Sequence, residues 1–449
     1  MTGTTGITTT GTTTTGITTT GITTTGTTTT GITTTGTTTT GITTTGITTT
    51  GATDTTDTAD GGWARTWSTS PHAPIEAFGP LPSFADTTLR QVVRVSGGGR
   101  QVRLRITNEY GTAPLTIGAA RIALAAPEGG IRPGSERVLT FDGKSAVTVP
   151  TGAPMLSDPV ALSLSALAEL SISLYLPEAV KSATCHGMGV QTAWTTPGNS
   201  VDALTLPADA ESLPLQALIS ALDVRADAPV TTVAIIGDSN TDCSGTTPDT
   251  NRRWTDRLAE RLAELDGPAV CVSNQGISGN RMLNEGLGDA ALARFDRDVL
   301  ATPGLRHVVL AIGLGDICIS YSPQDGSGPP ADFLAMFPGA PVTADDLIAG
   351  YRQLIDRART RGLRVHAPTL TPYEGDDTFT PEGERARQRV NEWIRTSGAF
   401  DAVLDFDAVW SDPAHPSRIR DGFHAGDHLH GSDAGCRALG DSIDLALFR

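Results

Sequence analysis

The sequence predicts an α/β fold, a doubly wound parallel sheet of five strands, preceded by an all-β sandwich and a low-complexity tail. Three observations predict it. Residues 2–51 contain only Thr, Gly and Ile, and glycine recurs at every fifth position from Gly6 to Gly51. From 62 to 227, short runs alternate apolar and polar residues between Gly and Pro turns, with no convincing helical stretch. From 228 to 449, short apolar strands alternate with amphipathic helical runs.

The segment 1–61 comes first. A five-residue period matches neither helix nor strand. Each glycine weakens the strand preference of its threonine neighbours. Up to Gly51 the repeat has no charge and no aromatic ring, so it has little apolar surface to bury against its ordering entropy. A disordered tail is expected; a stacked, threonine-faced solenoid is the other reading.

In 62–227, Val93 and Val95 flank Arg94, and after Gly97-Gly98-Gly99 the residues Val102, Leu104 and Ile106 alternate with Arg103 and Arg105. The pattern predicts a hairpin with one buried face. Leu170, Ile172, Leu174 and Leu176 repeat it until Pro177. Many such strands predict a sandwich. Trp63 and Trp67 precede it and are expected to seal one of its ends rather than to line a ligand groove.

In 228–449, strands are expected at 233–236, 270–273, 308–312, 365–370 and 402–406. Trp254, Leu258, Leu262 and Leu265 share a helical face. Thr343 caps a second helix that ends at Gly362, Thr380-Pro381 opens a third, and a last one follows Ser432. Ligands of such sheets sit beyond the carboxyl ends of the strands.

The composition excludes some classes of function. Asp plus Glu number 49 against 33 Lys plus Arg, a formal charge of −16, so a phosphate backbone is repelled and nucleic-acid binding is not expected. No run of about eighteen apolar residues is present, so no membrane span is expected. The N-terminus lacks the basic and apolar regions of a signal peptide, which gives export no support. The five cysteines form no CxxC pair, so a zinc knuckle is not expected and buried free thiols are. Pairing of Cys243 with Cys318 stays open. Oligomeric state is not legible.

The chemistry gathers at two places. Gly237-Asp238-Ser239 follows the first strand, setting Ser239 where a ligand reaches it. A serine there needs a base for its proton and donors for an oxyanion. Asp427-His428-Leu429-His430 precedes the last helix. An Asp and a His three residues apart on a turn can meet, so that the carboxylate fixes the imidazole's tautomer. Either histidine suits. His424, Asp427, His428 and His430 also form a dense set of metal-ligand types, but no second cluster supports a metal, and none is expected.

Taken together these stretches resemble the SGNH/GDSL hydrolases. Gly237-Asp238-Ser239 is similar to their first block, Asn274-Gln275-Gly276-Ile277-Ser278-Gly279-Asn280-Arg281 to the second, and Asp427-x-x-His430 to the fifth. Arg253-Trp254, Ala293-Arg294-Phe295-Asp296, Asp405-Phe406-Asp407 and Asp433-Ala434-Gly435, with Leu89-Arg90-Gln91 and Thr107-Asn108-Glu109 upstream, look like a subgroup with an extra N-terminal β domain. The resemblance spans 62–449. It implies a flavodoxin-like sheet, Ser239 as nucleophile, Asp427 and His430 as its partners, and the amides of Ser239 and Gly279 as oxyanion donors, with no cofactor.

One departure stands out. The family's third block reads Gly-x-Asn-Asp, and its Asn donates to the oxyanion. Here the stretch is Gly313-Leu314-Gly315-Asp316, with Gly315 at the Asn position. Losing one such donor costs roughly 10²–10³ in turnover; Asn240, Asn280 or a water is the available substitute. Restoring Gly315→Asn should then raise turnover. The resemblance therefore implies an esterase or deacylase for small or short acyl groups, on a small-molecule or acylated-glycan ester. The alternative is a catalytically impaired relic that binds a glycan or a surface.

Overall fold

The structure is a computed structural model that describes residues 62–76 and 83–449. The Thr/Gly/Ile repeat, and with it the reading of 1–61 as a disordered tail, lies outside the described residues.

The N-terminal part is built from two antiparallel sheets. One runs in the order Trp63–Ser68, Ile219–Arg225, Gly99–Thr107, Val160–Leu164. The other is centred on Thr87–Arg94, Glu169–Leu176 and Ala119–Ala126. Val102, Leu104, Ile106, Leu222 and Val224 of the first share one apolar core with Leu89, Val93, Ile122, Leu170 and Leu174 of the second, which makes the pair a sandwich.

Two expectations need correction. Thr87–Arg94 and Gly99–Thr107 do not form a hairpin: the former pairs with Glu169–Leu176 and Ala193–Pro197, the latter with Ile219–Arg225 and Val160–Leu164. The glycine turn carries the chain from one sheet to the other. Alternation identifies the buried face of a strand but says nothing of its partner. Trp63 and Trp67 do not precede the sandwich either. They belong to its edge strand, paired with Ile219–Arg225, and the Arg103 guanidinium sits 4.4 Å over the Trp63 ring.

The parallel sheet holds β1 (Val230–Gly237), β2 (Ala269–Gly276), β3 (Leu305–Ala311), β4 (Arg364–Pro368) and β5 (Ala402–Leu404) in the order β2-β1-β3-β4-β5. All neighbours are parallel. Both faces are covered, which is why the strands read as continuous apolar runs. Val233 and Ile235 pack with Trp254, Leu258 and Leu439 on one side. Ala234 and Ile236 join the core of Leu347, Tyr351, Leu354 and Val390 on the other.

The helices begin where their caps lie. Thr343 accepts from the Asp346 N–H and Asp346 returns the bond, opening Ala344–Arg359. Thr380 caps Pro381–Thr396, with proline in its first turn. Past Leu404 the expected strand stops, because Asp405 caps a short helix from Phe406 to Trp410. The sandwich docks on the β2 edge through buried polar contacts: Ser68 Oγ lies 2.7 Å from Ser273 Oγ and donates to the Asn274 carbonyl at 2.9 Å, while Ser96 Oγ accepts from the Val272 N–H at 2.9 Å.

Candidate active site

The chain leaves β1 between β2 and β3, at the point where the strand order reverses, where ligands of doubly wound sheets bind. There Asp238 caps a single helical turn, Ser239–Asp242, by accepting from the Asn240 N–H at 3.0 Å. Two side chains brace this turn. Asn274 donates to the Thr241 carbonyl at 2.8 Å. Arg294, fully buried, donates to carbonyls at the ends of both strands, Gly237 O, the last of β1, at 3.0 Å and Gln275 O, the last but one of β2, at 2.8 Å, and pairs with Asp298 at 3.0 Å.

The loop before the last helix, Asp433–Ser442, meets the turn. His430 Nε2 lies 2.8 Å from Ser239 Oγ, and His430 Nδ1 lies 2.6 Å from Asp427 Oδ2. The other Asp427 oxygen accepts the backbone N–H groups of Leu429 and His430, each at 3.0 Å. Burial pushes the Asp427 carboxyl up, but the bonds from the His430 ring and these amides outweigh it and hold the group well below the usual carboxylate range. Of the two histidines that suited the serine, the structure sets His430 against it. His428 turns away and its ring stacks on His424 at 4.1 Å between centroids. Among the described residues no three His, Cys, Asp or Glu side chains converge as metal ligands.

A cleft of about 190 Å³ opens over Ser239, with Gly279, Gly315, Asn240 and Asn280 in its walls. Among the described residues, neither the Ser239 nor the Gly279 N–H donates to a protein acceptor. The Asn280 side chain is committed elsewhere: it donates to Asp289 O at 2.9 Å and accepts from Arg294. Asn240 is not. Its Nδ2 reaches only Thr371 Oγ1 at 3.5 Å, and its buried Oδ1 has no partner. Gly315 lies in the first turn of a short helix, Leu314–Ser320, that sequence reasoning missed. A Cβ on it would stand 2.6 Å from the Asn280 carbonyl oxygen, so an Asn side chain has no room there on this backbone. The expectation that Gly315→Asn restores a donor is corrected on that ground.

Two buried carboxyls neighbour the site in sequence, Asp238 next to Ser239 and Asp316 next to Gly315. Burial raises Asp238 to about 6, against the Asn240 N–H and the nearby His430 that favour its charged form. Burial likewise raises Asp316 to about 6, although the Met282 and Leu283 N–H groups donate to it at 2.6 and 3.2 Å. All five cysteines are free and buried. Cys243 is not bonded to Cys318; its Sγ lies 3.3 Å from the free thiol of Cys436.

Sequence reasoning also missed a buried pair beneath the site. His186, from the sandwich, lies 3.1 Å from Asp242. Burial disfavours charge on both, but their mutual attraction wins, raising the histidine and lowering the aspartate. Ser278 Oγ donates to the same carboxylate at 2.8 Å. No local signal marks a pair 56 residues apart.

Residues 235–438 match the model of the GDSL-like Lipase/Acylhydrolase family. Among solved structures, a G-D-S-L family protein from Desulfitobacterium hafniense DCB-2 is 20% identical over 47% of this chain and 97% of its own, with a TM-score of 0.35. For TesA the values are 20%, 47%, 96% and 0.35. For Axe2, an acetylxylan esterase from Geobacillus stearothermophilus, they are 22%, 47%, 91% and 0.35. No curated protein matches the sequence. On the family match, the α/β part of this chain, from 235 to 438, belongs to the GDSL-like lipase/acylhydrolase family.

Proposed function

We propose that this protein is a serine-dependent hydrolase of carboxylic esters of short acyl groups. The observation that carries the reading is the unbroken chain Ser239 Oγ to His430 Nε2 at 2.8 Å and His430 Nδ1 to Asp427 at 2.6 Å. In this reading His430 takes the serine proton as the Oγ–carbonyl carbon bond forms. Asp427 holds the ring with Nε2 free to accept and stabilises the imidazolium. The amides of Ser239 and Gly279 donate to the oxyanion, and the Asn240 side chain is the third donor, in place of the side chain that Gly315 lacks. His430 then returns the proton to the departing alkoxide. Water, deprotonated by the same histidine, releases the acid and regenerates Ser239.

The test is labelling by a fluorophosphonate and turnover of an ester panel, each compared with Ser239→Ala. The expected result is labelling of Ser239 and activity that the variant loses. Absence of both would overturn the reading and favour the binding relic, the second reading, which the missing side chain at Gly315 supports.

A further inference from the structure

Five large apolar side chains stand exposed among the described residues, and two of them, Met188 at 43% and Phe333 at 38%, line the same cleft as Ser239. Scattered exposed hydrophobics need no explanation, but two at the mouth of one cleft do. Below them Leu287, Leu314, Phe337 and Leu429 continue the apolar wall, and the Phe333 and Phe337 rings lie 5.1 Å apart between centroids. A water's share of liquid volume is about 30 Å³, and a methylene is of similar size. A space of about 190 Å³ therefore takes a chain of several carbons, where an acetyl group would leave most of it unfilled.

Met188 reaches the cleft from the sandwich, just after the strand Cys185–Gly187. Its backbone is left-handed, φ 63°, and so is that of Val190, φ 48°. This conformation is uncommon for non-glycine residues and an outlier for a β-branched one. It persists only where surrounding structure imposes it. Here His186 is anchored to Asp242 at 3.1 Å, the Gly189 carbonyl accepts from Arg253, and the Val190 carbonyl accepts from the Asp249 N–H at 3.0 Å. Asp242 closes the helical turn that begins with Ser239 and also holds Ser278, next to Gly279. The strained loop is thus bolted to the turn that carries the serine and to the loop that carries the candidate oxyanion amide.

We propose that Met188 is a specificity-determining residue of this site, forming with Phe333 the mouth of an acyl pocket that selects esters of linear aliphatic acids, butanoyl to octanoyl, over acetyl esters. The proposal rests on the ester-hydrolase reading and names its substrate class. It also gives the sandwich a part in recognition.

Turnover of nitrophenyl acetate, butanoate and octanoate tests it, alongside calorimetric binding of octanoate and acetate to the Ser239→Ala protein. In wild type, kcat/KM for octanoate exceeds that for acetate, and Met188→Glu lowers the ratio about tenfold or more, the scale of small changes in apolar pocket contacts. Leu156→Glu, at another exposed apolar position, leaves the ratio unchanged. A ratio unmoved by Met188→Glu, in an enzyme whose activity needs Ser239, overturns the inference and leaves the hydrolase reading standing. Octanoate binds Ser239→Ala more tightly than acetate and at least tenfold more weakly once Met188→Glu is added. If that binding appears without any turnover, the pocket stands and the hydrolase reading falls; if octanoate does not bind, the pocket falls.

Discussion

The Asn280 carbonyl oxygen occupies the space that a Cβ on residue 315 would need, 2.6 Å from the ideal position of that atom. The helix Leu314–Ser320 therefore starts against bare backbone of the loop that carries Gly279. Glycine at 315 is a packing requirement of this structure as well as the absence of a donor. The two loops that frame the candidate oxyanion site can approach this closely only because one of them carries no side chain at the contact.

The first expected outcome follows from that contact. Gly315→Asn fails to raise turnover and destabilises the fold by about 1–3 kcal/mol, as overpacking does. Urea melts and kcat on one protein batch measure both quantities. A gain in kcat at unchanged stability would mean that the loop yields and the Asn side chain reaches the oxyanion.

Asp427→Asn probes the histidine. The amide oxygen can still accept the Leu429 and His430 N–H groups, but an amide that donates to Nδ1 selects the wrong tautomer. Turnover is expected to fall by about 10⁴ with the fold intact. Steady-state kinetics with a circular-dichroism control checks it. A loss of less than about tenfold would remove Asp427 from the proposed mechanism.

Asp238 links stability to pH. Its folded value, about 6, lies above the ordinary 3.8, so the fold favours the protonated form. The stability this group contributes is fully present below about pH 4 and is lost as pH rises through about 6. The neutral amide introduced by Asp238→Asn carries no such penalty and keeps an acceptor for the Asn240 N–H. The stability of Asp238→Asn relative to wild type should therefore rise by roughly 3 kcal/mol across that window and level off above it. Denaturant melts at intervals from pH 4 to 8, taken as a difference, report it. A difference that is flat with pH would show that Asp238 ionises normally.

Arg294 holds the ends of β1 and β2, the Asn280 side chain and Asp298 from a fully buried position. Arg294→Met leaves Asp298 short of one partner and takes the guanidinium donors from the Gly237 and Gln275 carbonyls, of which Gly237 keeps the Ile277 N–H at 3.2 Å. A loss of about 3–5 kcal/mol is expected, the scale for breaking a buried pair from one side. Thermal and urea melts measure it. A cost below about 1 kcal/mol would show that Arg297, which also pairs with Asp298 at 2.6 Å, takes over the role.

Much of the α/β part was legible because its signals are local. Each parallel strand is an apolar run, each long helix a stripe at helical spacing, and Thr343, Thr380 and Ser432 mark starts that the structure keeps. Boundaries moved by a few residues where caps compete, as at Asp405. The helix Leu314–Ser320 was invisible because a seven-residue segment shows barely two turns of periodicity.

What the amino-acid order determined by itself was therefore the set of elements and the types of chemistry at their ends: a serine leaving a strand, and an Asp and a His three apart before a helix. Tertiary structure alone decided which strands pair across Gly97–Gly99, which histidine faces Ser239 across 191 residues of sequence, and that Met188 of the sandwich stands in the wall of the same cleft. The reason is one of range. Periodicity and capping act over a turn or two, where neighbours in sequence are neighbours in space, whereas pairing, burial of Arg294 and the Asn280–Gly315 contact depend on loop closures that no short window of sequence encodes.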